Sequence, residues 1–380
     1  MKDILSNSEF TYIDFMIIDV EGSELSLLHS IDFTFPIFCI IIEAHSDEQE
    51  KNKIFGEFLK KNGFTFKERQ RCNEVWINHN YFRVDLFNVK QKNDKDILQK
   101  YNKNIINLIK SKDKFMISRF GTLETSYLAS KLKNSKIEES LKRIFVKQNN
   151  QMSINAGIYN INFSNEKLLI DIYCNCLKNS NFNAIIYDFN DNQDVLNEKF
   201  NLKNIQARSL EPLYHILQNE IPWTHYLVDK KVLIIHPFIK SFKKQLENKF
   251  KMFENKNIFL ENQKFVFYKA YQTSGNNHIH KDWKETYDIM CKDISKLDFD
   301  IALLGCGGYG PLLQEFIYTK LNKSSIYMGG GLHITFGVMG ERWVNHDIIG
   351  KIIRENGKFI RPSGDEIIKD KKLIENGCYW

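Results

Sequence analysis

The chain has 380 residues, with 53 Lys and Arg against 47 Asp and Glu and a formal net charge of +6; this length exceeds what one hydrophobic core usually organises, so two domains are expected. Basic residues alternate with acidic ones and form no tract able to track a phosphate backbone, which excludes nucleic acid and leaves an anionic small molecule or an anionic membrane face as the matching partner. The seven cysteines show no CxxC pair and no zinc-site spacing, no run of about 18 apolar residues occurs, and the opening Met1 to Asn7 lacks the apolar core of a signal peptide, so the expected location is the cytoplasm, with peripheral association at the inner face of the membrane compatible with it.

The run Ile13 to Asp19 is apolar but for Asp14 and closes on an acid, and Glu21, Gly22 and a helical stretch Glu24 to Ser30 follow. That is the pattern of a buried parallel strand feeding a helix. A second run, Phe38 to Ile42, ends at Glu43 and His45 and leads into a polar helix, Asp47 to Asn62; Gly63 and a hairpin through Arg69 to Ile77 come next. The order is βαβα followed by two strands. Between Arg83 and Lys100 the sequence is charged and aperiodic, the pattern of a linker entering a helix from about Ile97 to Ser111.

Strands and helices then alternate. Strands are expected at Phe115 to Arg119, Asn183 to Tyr187, Lys231 to His236, Lys264 to Tyr268, Ile301 to Leu304 and Ser325 to Met328, with helices through Tyr127 to Leu132, Lys240 to Phe253, Trp283 to Leu297 and Leu312 to Leu321. Alternation on this scale predicts an α/β fold, a mostly parallel Rossmann-like sheet with helices on both faces. The expected division is a small α/β domain over 1–85, a linker over 86–100, a larger domain over 101–365 and a tail over 366–380.

Three strand-to-helix junctions of the larger domain carry chemistry. Asp300 to Gly310 reads as a strand, then Gly305, Gly307 and Gly310 in GxGxxG spacing with Gly308 between, then a helix opened by Pro311; such a turn lets backbone N–H groups and a helix N-terminus face a phosphate. The next strand ends in Gly329 to Gly331, without the ribose-binding acid that a dinucleotide enzyme carries there. At the second junction His236 closes a strand and Ser241 and Gln245 lie on the first turns of the following helix, a carboxyl strand end of the kind where open α/β sheets bind ligands. At the third, Arg119 and Glu124 flank Gly121; the arginine suits a diphosphate, and the carboxylate suits a metal ion or the proton of an acceptor hydroxyl. The competing readings are a ligand-free turn, a packing histidine and a plain salt bridge.

Two family resemblances follow from these residues. Ile18-Asp19-Val20-Glu21-Gly22-Ser23-Glu24, with Glu43-Ala44-His45 and Trp76-Ile77-Asn78, resembles the FkbM-type S-adenosylmethionine-dependent methyltransferases over residues 10–82. The glycine turn and ribose acid that hold the cofactor in that class have no counterpart in residues 1–82, so this part is expected to be truncated and structural. Arg119-Phe-Gly-x-x-Glu124, Asn155-Ala-Gly157, Leu210-Glu211-Pro212, Pro222-Trp223, Lys231 to Phe238, Trp283, Asp300 to Gly310, Gly329 to Gly337 and Arg342-Trp343 resemble the bacterial GT-D fold glycosyltransferases and their capsule-locus relatives. This second resemblance implies transfer of a sugar from a nucleotide-sugar donor to a bacterial surface glycan, capsule or lipooligosaccharide. The Asp-x-Glu of better-known members is Thr122-Leu123-Glu124 here, which leaves the family's divalent metal without its first carboxylate.

The resemblance gives the candidate residues roles in a cleft between the two domains. Gly305, Gly307, Gly308, Gly310 and Ser241 would face the diphosphate, and Arg119 would neutralise the leaving group. Glu124 is the candidate base or metal ligand, expected to stay charged and weakly basic, with His236 as its substitute, while Glu211 and Trp223 would meet the sugar. No tightly bound cofactor is implied, and a homo-oligomer is compatible with the sequence. The rival readings are an FkbM-type methyltransferase and a non-catalytic scaffold of polysaccharide assembly. The absence of a cofactor turn predicts that calorimetric titration with S-adenosylmethionine gives no binding; stoichiometric binding at micromolar affinity would revive the methyltransferase.

Overall fold

A computed structural model describes residues 12–45, 47–70, 72–78, 84–111, 113–132, 149–186 and 191–380. The chain divides into two compact units, Met1–Asp96 and Ile97–Trp380.

The first unit holds a four-stranded sheet in the order β1-β2-β4-β3. β1 (Ile13–Ile18) pairs parallel with β2 (Ile37–Glu43), and β4 (Asn73–Asn78) pairs antiparallel with β2 and with β3 (Phe64–Gln70). The helices Glu24–Ser30 and Gln49–Lys61 complete the expected βαβαββ order. One sheet face packs Ile18, Ile40, Ile42 and Trp76 with Leu28, Phe55 and Leu59 of those helices. Within the Asp19 to Glu24 segment, Glu24 is the buried carboxylate. Its Oε1 accepts the Gly22 N–H at 3.0 Å and its Oε2 meets Lys51 Nζ at 2.7 Å. Burial works against ionisation, but Lys51 and the backbone N–H groups outweigh it and bring the carboxyl to about 2. Glu24 therefore anchors the strand-to-helix turn.

The stretch expected as a linker is helical, part of the helix Val84–Lys110 within which the units divide. The stretch has neither Gly nor Pro and is rich in competent helix formers, so the connection is helical, and the units divide inside it, between Asp96 and Ile97.

The second unit is built on a seven-stranded, wholly parallel sheet in the order β7-β6-β5-β11-β10-β8-β9. The strands are β5 (Met116–Arg119), β6 (Phe182–Ile185), β7 (Asn204–Gln206), β8 (Lys231–His236), β9 (Lys264–Lys269), β10 (Ile301–Leu304) and β11 (Ser324–Tyr327); Tyr187, the expected end of β6, lies outside the described residues. Alternate side chains of one strand enter opposite cores. Leu233, Ile235, Ala302 and Leu304 join one, while Val232, Ile234, Ile301 and Leu303 join the other. Both faces are covered, which is why β8 and β10 are continuously apolar and not alternating. Helices not expected from the sequence include Glu166–Asn179, Asp191–Phe200 and Asp347–Asn356. The segment expected as a tail is part of the fold: Ile368, Ile374 and Trp380 are buried in the second core.

The connections fix where the chain can build a site. The helices after β5 and β10 (Thr122–Leu132, Tyr309–Thr319) pack into the first core, and those after β8 and β11 (Ile239–Glu247, Gly331–Thr335) contribute Phe242 and Leu332 to the second. Along the neighbouring strands β5, β11, β10 and β8 the chain thus leaves alternately toward opposite faces, and a crevice opens at their carboxyl ends. Among the described residues no helix is long and apolar enough to cross a membrane. Leu303→Ala, in the middle of the most buried strand, should lower the unfolding free energy by about 2–5 kcal/mol in urea titration; a loss below about 1 kcal/mol would mean that the sheet is less tightly covered than its burial states.

Candidate active site

The cleft lies within the second unit, at the carboxyl ends of its central strands, and every residue lining it belongs to Ile97–Trp380. It was expected between the two domains; the alternating exits of β5, β11, β10 and β8 supply its walls instead. Its internal volume is about 120 Å³.

The glycine loop after β10 is shaped by packing as well as by backbone freedom. A Cβ on Gly305 would lie 2.7 Å from the Gly329 carbonyl oxygen and 2.7 Å from His236 Cδ2, so this glycine brings three strand ends together. Gly307 has φ +60, a conformation that favours glycine. Gly308 donates its N–H to the Ala156 carbonyl at 2.8 Å, and a Cβ on Gly310 would lie 2.5 Å from the Tyr327 ring. The carbonyls of Gly307 and Gly308 accept the hydroxyls of Tyr327 at 2.7 Å and Tyr173 at 2.9 Å. The helix begins at Tyr309, two residues before Pro311, and Gly310 sits inside it. Of the four glycines expected to hold a ligand, Gly305 and Gly307 line the cleft; Gly308 and Gly310 are packing positions. Among the described residues the N–H groups of Cys306 and Gly307 have no acceptor, and both residues line the cleft.

Arg119, at the end of β5, donates through Nη1 to the Met328 carbonyl. A Cβ on Gly329 would lie 3.0 Å from that nitrogen, so the absence of a side chain admits the guanidinium beside the cleft wall. No carboxylate among the described residues lies within ion-pairing distance of Arg119. Glu124 departs from its expected place: it is buried and absent from the lining, its carboxylate folded back onto Gly121. Burial raises its pKa, and the backbone N–H groups of Glu124 and Gly121 with the charge of Arg119 offset this in part. The carboxyl is accordingly more basic than an ordinary glutamate, the reverse of the expected weak base. No group of three His, Cys, Asp or Glu suited to a metal ion occurs among the described residues.

His236, at the end of β8, lines the cleft. Its Nδ1 accepts the Phe238 N–H at 2.9 Å, which puts the proton of the neutral ring on Nε2. His333, whose ring centroid lies 5.8 Å away, accepts the Trp343 indole N–H at Nε2, which leaves its proton on Nδ1. Burial, with the neighbouring His333, holds His236 well below the usual imidazole range. Burial and the charge of Arg342 bring His333 to about 3. Both rings are neutral hydrogen-bond donors, so His236 presents an N–H where the sequence suggested a base.

Three further expectations fail on burial. Ser241 gives its N–H to Glu366 Oε1 at 3.1 Å and its hydroxyl to Glu366 Oε2, so the first turn of the helix Ile239–Glu247 already holds a carboxylate of the chain itself. Trp223 is wholly buried in the second core and has no free face for a sugar. Glu211 is buried against Gly331, off the cleft; burial raises its pKa and Arg119, Arg208 and Arg342 pull it back. Residues without an individual sequence signal complete the lining: Tyr271 to Ser274, His333, Tyr379 and Trp380. Asn155 to Gly157, noted only as a segment, forms a π-turn that ends on a left-handed Gly157 and also lines the cleft.

Comparison of the chain with models of protein families, with curated proteins and with solved structures finds no match.

The buried histidines make stability depend on pH in a stated direction. His215, brought to about 4 by burial, behaves like His236 and His333. Their folded-state pKa values lie below that of the unfolded chain, so the stabilisation is complete above about pH 6.5 and is lost as the pH falls toward the folded values. Between pH 7.5 and 5.5 each should cost about 1.4 kcal/mol. Glu124 and Glu211, with raised values, act in the opposite sense. Urea titrations at the two pH values should therefore show His333→Gln losing about 1.4 kcal/mol less than the parent; equal losses would mean that His333 is not held neutral.

Proposed function

We propose that the second unit is a glycosyltransferase that moves a sugar from a nucleoside-diphosphate sugar to a hydroxyl of a bacterial surface glycan. The observation that carries this reading is the convergence on one cleft of two backbone N–H groups without acceptors, at Cys306 and Gly307, with the Nε2–H of His236. Arg119 stands against Gly329; Arg342 lies near Gly330, where a Cβ would be 3.8 Å from its Nη1, with its Nη2 paired to Glu375. Donors and positive charge of this kind match an anionic diphosphate.

In the transfer, the bond from the anomeric carbon to the diphosphate oxygen breaks, the acceptor oxygen bonds to that carbon, and the proton of the acceptor hydroxyl passes to the departing diphosphate. The electron pair of the broken bond leaves with the diphosphate, and stabilising that charge is the largest demand on the protein. His236, held neutral, donates to the leaving group without first losing a proton. Arg119 supplies the field, and its lack of a carboxylate partner leaves its charge available. Glu124 holds the turn at Gly121 and adjusts the field around Arg119. The first unit, resembling an FkbM-type fragment, has a structural role in this reading.

The test is titration calorimetry with uridine and guanosine diphosphates and their sugar conjugates, with S-adenosylmethionine as the contrast. One diphosphate should bind, and Arg119→Ala should weaken it roughly tenfold, the worth of a charge set behind the cleft wall. Gly307→Val is the poorer probe, since φ +60 and a Cβ 2.9 Å from the Ala156 carbonyl would disturb the loop itself. No binding of any nucleotide at millimolar concentration would overturn the proposal.

A further inference from the structure

The part of the cleft lining formed by Asn155 to Gly157 and Tyr271 to Ser274 has its own pattern. Asn155 and Gln272 both line the cleft, and the side-chain oxygen of each is buried without a donor among the described residues. The orientation of the Gln272 amide is settled by its other end: Nε2 donates to the Glu366 carbonyl at 3.0 Å, which leaves Oε1 as the unsatisfied atom. The segments carrying the two residues are laced together, Gly275 N–H to the Ile154 carbonyl at 2.8 Å and the Thr273 hydroxyl to the Gly157 carbonyl at 2.8 Å. Both positions are thereby held in place before any ligand arrives. A buried acceptor without a donor is costly, and the cleft lining retains two.

Charge narrows what these oxygens can meet. Among the described residues no Asp, Glu, Lys or Arg lines the cleft, so the acceptors are neutral amides that take a hydrogen bond without repelling a diphosphate nearby. Tyr379 and Trp380 line the same cleft; Trp380 is buried in the second core, with its indole N–H on the Glu366 carbonyl, and leaves Tyr379 as the aromatic edge. Uncharged acceptors beside aromatic surface are suited to a ligand that is rich in hydroxyl donors and carries no cation.

We infer that Asn155 and Gln272 determine specificity for the sugar half of the donor: their side-chain oxygens accept from hydroxyls of the glycosyl ring while the glycine loop holds the diphosphate. This rests on the transferase reading, and the experiment separates the two. Calorimetric titrations compare the parent, Asn155→Ala and Gln272→Met against uridine and guanosine diphosphates and the glucose, galactose and mannose conjugates of each, with circular dichroism confirming that the variants are folded. Each variant should lose roughly tenfold in affinity for the bound nucleotide sugar, the worth of a neutral hydrogen bond, and change by less than about twofold for the corresponding diphosphate. Equal losses for both ligands, no loss for either, or a parent that binds a diphosphate but none of its sugar conjugates would overturn the inference and leave the transferase reading standing. A parent that binds no nucleotide at all would overturn both.

Discussion

The cleft depends on how closely three strand ends approach one another at Gly305. With a side chain there, the Gly329 carbonyl and the His236 ring would each be met at 2.7 Å, and β10 could not bring its loop against those of β11 and β8. The same kind of constraint recurs at Gly308 and Gly310, where the space of a side chain is taken by Ile158 and the Tyr327 ring. A pattern that reads as phosphate binding is thus mainly a packing device; among the described residues only the N–H groups of Cys306 and Gly307 within it line the cleft without an acceptor. The two tyrosine hydroxyls that hold the carbonyls of Gly307 and Gly308 orient the loop and make it rigid ahead of any ligand, which reduces the ordering cost of binding.

Electrostatics around the cleft follow from burial. The carboxylates of Glu124 and Glu211 are taken out of water and become harder to ionise, although Arg119 opposes this at both. His236 and His333 lose their affinity for protons for the same reason. The result is a wall of neutral donors and acceptors with guanidinium groups set close to it at Gly329 and Gly330. Such an arrangement favours an anion through fixed dipoles and nearby charge, without a lysine or arginine in the wall to be neutralised by water and salt.

The first unit solves a smaller problem with similar means. Glu24 is buried at a strand-to-helix turn where two backbone N–H groups and Lys51 are in reach, so its acidity is explained by the turn it holds. Its neighbours Asp19 and Glu21 are exposed, and the acidic segment therefore reads as one anchoring residue among solvated ones.

The amino-acid sequence by itself determined the class of the fold. Apolar runs such as Lys231 to His236 and Ile301 to Leu304 coincide with strands residue for residue, because a strand buried on both faces has no polar position to blur its ends. It also marked the junctions at Arg119, His236 and Gly305, since glycine and terminal polar residues after such a run signal a turn. What it could not contain is the strand order, which is set by crossovers between segments remote in the chain and leaves no local period. Only the tertiary structure decided that β5, β11, β10 and β8 are neighbours, and with that order came Asn155, Gln272, His333, Tyr379 and Trp380 at the cleft. The same limit explains the misplaced residues: an indole at Trp223, a hydroxyl at Ser241 and a carboxylate at Glu124 look like ligand groups in sequence, but their burial depends on partners such as Asn102, Glu366 and Gly121, and those partners are chosen by folding.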